Sequence, residues 1–264
     1  MTYDDYKTIA VTRAGRILTL TMNRADKLNA TDALMHEELS RIFYDVGRDG
    51  EADVVILTGA GKAFCAGGDT NWMQDTIDDP SLWRKTVTEA KGIIFGLLDL
   101  EKPVIAKLNG AAVGLGATIA LYCDVIFASD RAKIGDPHVS VGFVAGDGGS
   151  AIWPQLVGYA RAKEFLMTGD IIGAQTAADM GLINHCVPHE ELDQRVQAFA
   201  ERLAGGAIRA IQWTKMAING PLRQIVSTNL EMSLALEGLS NVSADHQEGV
   251  RAFNEKRAPR FTGQ

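Results

Sequence analysis

Residues 103–128, PVIAKLNGAAVGLGATIALYCDVIFA, constrain the fold more than any other stretch of the chain. Two short apolar runs, 103–108 and 124–128, are bounded by turn residues as buried strands are, and the segment between them, 115–122, is rich in helix formers. Asn109-Gly110 breaks the first strand, and Gly114 and Gly116 permit a tight backbone path into the helix. A helix that starts on glycines presents unpaired N–H groups at the positive end of its dipole, so this turn can receive a developing negative charge.

A loop of the same character lies upstream in 54–69, VVILTGAGKAFCAGGD, where an apolar strand over 54–58 runs into small residues that let the backbone itself approach a ligand. Two backbone donors from separate loops can then converge on one oxygen. Nucleotide-binding patterns fit these loops poorly. Gly114-Leu115-Gly116-Ala117-Thr118-Ile119 has an isoleucine where the dinucleotide fingerprint needs a third small residue, and Gly61-Lys62 lacks both the earlier glycine and the following Ser or Thr of a phosphate loop.

The run Ala63-Phe64-Cys65-Ala66-Gly67-Gly68-Asp69, followed by Asn109-Gly110-Ala111-Ala112-Val113-Gly114-Leu115-Gly116, resembles the crotonase (enoyl-CoA hydratase/isomerase) superfamily. The resemblance extends from Asn23-Arg24-Ala25-Asp26-Lys27-Leu28-Asn29-Ala30 to Glu248-Gly249-Val250-Arg251-Ala252-Phe253-Asn254-Glu255-Lys256-Arg257, so it covers nearly the whole chain. It implies an α/β fold: a crotonase-like spiral of ββα units over 1–202, then a C-terminal helical region over 203–264 that assembles trimers or hexamers. It also implies an acyl-CoA substrate whose thioester oxygen sits between the N–H groups of Gly68 and Leu115, stabilising an enolate or tetrahedral oxyanion. Coenzyme A enters as part of the substrate, and no separate cofactor or metal is expected. The implied CoA contacts are Lys27, Leu28, Ala66, Asp69, Thr70, Asn71, Phe253 and Lys256; the implied acyl pocket holds Trp72, Met73, Thr118 and Phe143.

Hydratases of this family carry two glutamates, and this chain has neither. By register the first position falls on Thr118 and the second, after Asp136-Pro137, on His138. Threonine is no base near neutral pH, whereas an imidazole with a reference pKa of about 6.5 is one. Asp147 stands nine residues on, in Gly146-Asp147-Gly148, where the family carries a small neutral residue. A carboxylate in that turn needs a partner, and His138 is the nearest candidate. The expectation is an acid–base pair in which Asp147 holds the tautomer of His138 and His138 takes a proton from water or substrate. The competing reading makes His138 structural and Asp147 a cap on the helix that follows.

The His and Asp pairing also resembles the β-diketone hydrolases of the superfamily, although Leu115 stands where those carry a further histidine. Hydrolysis of a thioester or β-dicarbonyl therefore stays open, as does a non-catalytic acyl-CoA-binding homologue. Among the 264 residues, Lys and Arg are outnumbered by Asp and Glu and form no long run, for a net charge of −7, which argues against nucleic acid as partner. The acidic start, MTYDDYKTIAVTRAG, and the lack of eighteen uninterrupted apolar residues point to a cytoplasmic chain with no membrane partner. Cys65, Cys123 and Cys186 show no metal-ligand spacing and read as buried small hydrophobes.

Along the rest of the chain, the pattern predicts a hairpin turning at Ala14-Gly15-Arg16 and a helix capped by Thr31 or Asp32 with Leu34, Leu39, Ile42 and Phe43 inward. It predicts a short helix over 70–80 and a longer one to about Leu98. Two C-terminal helices are expected, 207–218 and 222–239, separated at Asn219-Gly220-Pro221, the second exposing Ile225, Leu230, Leu234 and Leu236 to partner subunits. His36, His185, His189 and His246 read as surface or structural, and Glu89 carries no assigned role.

Overall fold

The computed structural model describes residues 2–264. Its elements alternate in one rhythm. An antiparallel hairpin, β1 (Ile9–Ala14) and β2 (Ile17–Met22), precedes α1 (Ala33–Arg48). Then come β3 (Val54–Gly59), β4 (Ala63–Cys65), α2 (Thr70–Asp78) and α3 (Trp83–Asp99). Next are β5 (Val104–Leu108), β6 (Ala111–Val113) and α4 (Leu115–Leu121), and after them β7 (Val125–Ser129), β8 (Lys133–Gly135) and α5 (Gly149–Thr168). The chain closes with β9 (Ile171–Gly173), α6 (Ala174–Asp179), β10 (His185–Val187), α7 (Leu192–Ala204), α8 (Ile208–Asn241) and α9 (Ala244–Asn254).

The hairpin β1–β2 joins a large sheet, ordered β1-β2-β3-β5-β7-β10, and the pairs β3–β4, β5–β6 and β7–β8 each send their first strand to it and their second to a small sheet, ordered β4-β6-β8-β9. This is the expected spiral. The strands of the large sheet from β2 onward pair in parallel, which takes a crossover connection between neighbours. Because both its faces are covered, β3 is buried at every residue. One face packs on α1 and α3 through Leu39, Phe43, Ile93 and Leu97; the other packs on α7 through Val196 and Ala200.

Three expectations need correction. On α1 the inward residue is Met35, while Leu34 is exposed, because the stripe follows the 100° helical step from Leu39 and Ile42. The predicted break at Asn219-Gly220-Pro221 is absent: α8 runs through Pro221 as one helix. It is stitched to α3 on both sides of the proline, by Asn219 Nδ2 donating to the Leu98 carbonyl at 3.0 Å and by Lys91 against Glu231 at 2.5 Å. Tertiary contacts of this kind override a local helix breaker. Of the four apolar residues expected outside on α8, Leu230 and Leu234 are buried in the core, and only Ile225 and Leu236 face out. No helix among the described residues is long and apolar enough to cross a membrane.

Candidate active site

The small sheet builds the site. Cys65 of β4 pairs with Ala112 of β6, and Ala112 pairs with Ile134 of β8, all in parallel, so these three residues form one row. Gly68 and Leu115 each lie three residues past that row, and His138 lies four past it. Three loops therefore leave the carboxyl ends of adjacent parallel strands side by side, the place where α/β sheets bind ligands.

The turn into α4 shows how closely the loops approach. Gly114 has φ +55° and ψ −124°, a conformation costly for any residue with a side chain, and a Cβ there would stand 3.5 Å from His138 Cε1 and 3.8 Å from Gly67 Cα. Gly114 is followed by Leu115 at the first position of α4, whose N–H has no partner within its helix. The Gly68 loop is pinned from below: Thr31 N–H donates to the Gly67 carbonyl at 2.7 Å, and Asp69 N–H donates to the Thr31 carbonyl at 2.9 Å. Among the described residues, neither the Gly68 nor the Leu115 N–H meets a protein acceptor. Both residues line a cavity that also holds His36, Trp72, Met73, Trp83, His138, Phe143, Asp147, Glu237 and His246.

His138 is buried between two aspartates. Asp136 Oδ1 bonds its Nδ1, and Asp147 Oδ2 faces its Nε2 at 3.7 Å, beyond hydrogen-bond reach. The carboxylate that fixes the ring is thus Asp136, two residues away, and Asp147 stands on the opposite nitrogen. Asp147 is itself held by Thr118, whose Oγ1 donates to Asp147 Oδ1 at 3.0 Å. Burial pulls the pKa of His138 down, but the charges of Asp136 and Asp147 outweigh it, and the pKa is pushed up to about 10. At neutral pH the ring is therefore an imidazolium and not the neutral base the sequence suggests. Burial raises the pKa of Asp147, with the His138 charge opposing. Burial also raises the pKa of Glu237 well above the usual carboxyl range, with the Asp147 charge adding to it, and Glu237 lines the same cavity.

Asp136, His138 and Asp147 form the one cluster of His, Cys and acidic residues among the described residues whose ligand atoms lie within 4.8 Å of each other. The proton on His138 already supplies the cationic charge that two buried carboxylates demand.

Of the other predicted residues, Trp72, Met73 and Phe143 line the cavity, whereas Thr118 is fully buried behind Asp147 and does not reach the wall. Leu28, on a left-handed turn after Lys27, accepts from Ala66 N–H at 3.1 Å, so these segments lie together beside the Gly68 loop. Asp69 caps α2 through Asn71 N–H at 3.0 Å and pairs with Arg24 at 3.1 Å, which gives it a structural duty next to Thr70 and Asn71. Phe253 and Lys256, at and just past the end of α9, are exposed and do not line the cavity.

The sequence reading placed four of the site's residues elsewhere or gave them no role, His36 and His246 among them as surface or structural. Asp136 had a signal in its i, i+2 spacing to His138, around a proline that bends the chain. Glu237 and His246 come from α8 and α9, far along the chain, and only the packing of those helices over the core brings them in. His36 was read as surface or structural; it is buried, packs tilted against Trp72 with ring centroids 4.9 Å apart, and bonds Glu89 at 2.8 Å.

Residues 12–264 match the family model for enoyl-CoA hydratase/isomerase. The chain is 35% identical over 249 residues to the 1,2-epoxyphenylacetyl-CoA isomerase of Escherichia coli, an alignment spanning 94% of this chain and 95% of that one. Among solved structures, it is similar to an enoyl-CoA hydratase/isomerase from Mycobacterium paratuberculosis, with a TM-score of 0.89 and 34% identity over 92% of this chain and 97% of that one. It is also similar to a β-diketone hydrolase from the cyanobacterium Anabaena, with a TM-score of 0.84 and 33% identity over 91% and 96% of the two chains.

Proposed function

Because the chain belongs to the enoyl-CoA hydratase/isomerase family, we propose that it moves a proton on an acyl-CoA thioester through an enolate. The N–H groups of Gly68 and Leu115 hold the thioester oxygen, and the cluster of Asp136, His138 and Asp147 handles the proton. The observation that carries this reading is the alignment of three loops at the ends of β4, β6 and β8, which sets two free N–H groups beside one buried acid–base cluster.

In this reading the substrate oxygen accepts from both N–H groups, and charge grows on it as a C–H bond next to the conjugated system breaks. Asp147 Oδ2, buried with no protein partner, takes that proton. The His138 imidazolium, anchored by Asp136, stabilises Asp147 before the transfer and the enolate during it. Asp147 then returns the proton to a different carbon, so the net change is a shifted double bond and nothing is consumed. Glu237 is a second proton source on the cavity wall. The CoA moiety lies along Lys27, Leu28, Ala66 and the start of α2, and the exposed Ile225, Met232, Leu236 and Leu239 of α8 support a trimeric or hexameric assembly.

A second reading is favoured by the likeness to the β-diketone hydrolase. There the same cluster would deprotonate water, hydroxide would add to one carbonyl of a β-dicarbonyl, and the intervening C–C bond would break to give a carboxylate and an enolate that is then protonated.

Incubation with enoyl-, 3-hydroxy- and 3-oxoacyl-CoAs in deuterium oxide, followed by mass analysis, tests both. Proton transfer predicts double-bond migration with neither gain of water nor release of CoA, and a one-dalton deuterium uptake wherever Asp147 exchanges with solvent before it returns the proton. Fragmentation to a carboxylate favours the second reading. Binding with no exchange and no conversion contradicts both.

A further inference from the structure

His246 is fully buried at the start of α9, and its ring stacks on Phe143 with centroids 4.3 Å apart and planes 17° from parallel. The approach of α9 depends on Gly142, with φ +66°, where a Cβ would meet the Asp245 carbonyl carbon at 2.6 Å and the His246 nitrogen at 2.8 Å. His246 Nδ1 lies 2.8 Å from the Val141 carbonyl oxygen, and since a carbonyl only accepts, Nδ1 carries the proton. Nε2 is then a bare lone pair. It is buried without any protein partner, although the ring lines the cavity.

Leaving such an acceptor unpaired is costly, so its retention in an apolar wall calls for a donor from elsewhere. A water at Nε2 would need further polar partners, which Glu237 and Asp147 of the same cavity offer, and a ligand hydroxyl supplies the same donor in its place. A substrate carbonyl would not serve, because it too is an acceptor. Protonating the ring to suit a carbonyl is disfavoured: burial pulls the His246 pKa down against the pull of the Val141 carbonyl, and the charge on His138 adds to the fall. Aromatic rings make up part of the remaining wall. Trp83 stands edge-on to Phe143 at 5.8 Å, and Trp72 lies tilted against His36, whose own Nδ1 is occupied by Glu89. Faces of this kind favour a ring over a flexible alkyl chain.

We infer that the cavity is built for a ring-bearing acyl group that carries a hydroxyl, and that His246 Nε2 is the acceptor for that hydroxyl. This specifies the substrate class and rests on the acyl-CoA reading above. His246 is a specificity residue: it touches the far end of the acyl group and takes no part in the proton transfer.

The test is calorimetric binding of phenylacetyl-CoA and of its 2-, 3- and 4-hydroxyphenyl counterparts to the wild-type protein, to His246→Phe, which keeps the stacked ring, and to His246→Gln. The wild type should bind at least one hydroxylated thioester about tenfold to a hundredfold more tightly than phenylacetyl-CoA. In His246→Phe that ratio should fall to near one, with phenylacetyl-CoA itself bound about as well as before. Equal affinities in the wild type, which needs no variant to fold, overturn the inference while leaving the acyl-CoA reading intact. A preference that survives in both variants overturns the role of His246. Failure of the wild type to bind any of the thioesters overturns the acyl-CoA reading and the inference with it.

Discussion

Two buried clusters of charge in this molecule look alike by composition and differ in how they end. Beneath α8, Lys215 meets Asp124 Oδ2 at 2.8 Å and donates to the Lys102 carbonyl at 3.0 Å, while the Val104 N–H donates to the same Asp124 oxygen at 2.6 Å. Nearby, Lys102 Nζ donates to the carbonyls of Val46 and Asp49 that close α1. These groups are closed by the protein itself. At the ends of β4, β6 and β8 the accounting stops short: Asp136 Oδ2, Asp147 Oδ2 and His246 Nε2 are buried with no protein partner. Both clusters carry a desolvation cost, but only the second leaves valences for something that is not protein. The first holds strands to helices, and the second is the one the proposed function assigns to a ligand.

The sharpest break of this contrast is His138→Ala, which removes the charge that stabilises Asp147 and the enolate and should lower kcat on the order of a hundredfold to a thousandfold with KM little changed. Steady-state kinetics on the substrate found by the mass panel reads it, and unchanged turnover removes His138 from the proton transfer. The converse change, Lys215→Met, should cost about 3–5 kcal/mol of stability by stranding Asp124, with kcat of the folded fraction preserved. Urea unfolding together with active-site titration checks this; a stable variant with lost activity would erase the distinction between the two clusters.

Acidity separates them further. The pKa of His138 is raised to about 10 in the fold, so its pairing stabilises fully below the unfolded value of about 6.5 and is lost as pH rises through 10. The raised pKa values of Asp147 and Glu237 act with the same sign, because each binds its proton more tightly when folded. Unfolding free energy should therefore decline between pH 6.5 and 10 by up to about 1.4 kcal/mol per unit for the His138 proton, and the decline should flatten in His138→Gln. An identical slope in the variant assigns the effect elsewhere. The smallest expected effect is a control. Arg223 pairs with Asp99 at 2.6 Å on the surface, and Arg223→Ala should cost less than about 1 kcal/mol by thermal unfolding and leave turnover unaltered.

Much of the scaffold was legible because its signals are local. The buried strand β3, the hairpin about Gly15 and the Asp32 cap of α1, which accepts from Met35 N–H at 2.9 Å, each follow from a few adjacent residues. The glycine turns also marked the two loops that the small sheet sets side by side. The strands that do so, β4 and β6, are three residues each and built largely of small side chains, too short for any period to show. His138 and Asp147 stood out by residue type at telling positions, but which nitrogen each aspartate faces depends on the bend at Pro137 and on Thr118 reaching Asp147. Glu237 and His246 were out of reach, since nothing near them in the chain announces that α8 and α9 close over the cavity.

Whether the Gly68 and Leu115 N–H groups meet at one thioester oxygen is read most directly by infrared difference spectroscopy of an acyl-CoA labelled with carbon-13 at the thioester carbonyl. Two donors converging on that oxygen predict a carbonyl stretch displaced to lower wavenumber on binding to the wild type, and a smaller displacement in Gly68→Pro, which lacks one donor. A carbonyl band left at its solution position while calorimetry shows the thioester bound would contradict the convergence of the two loops on the substrate.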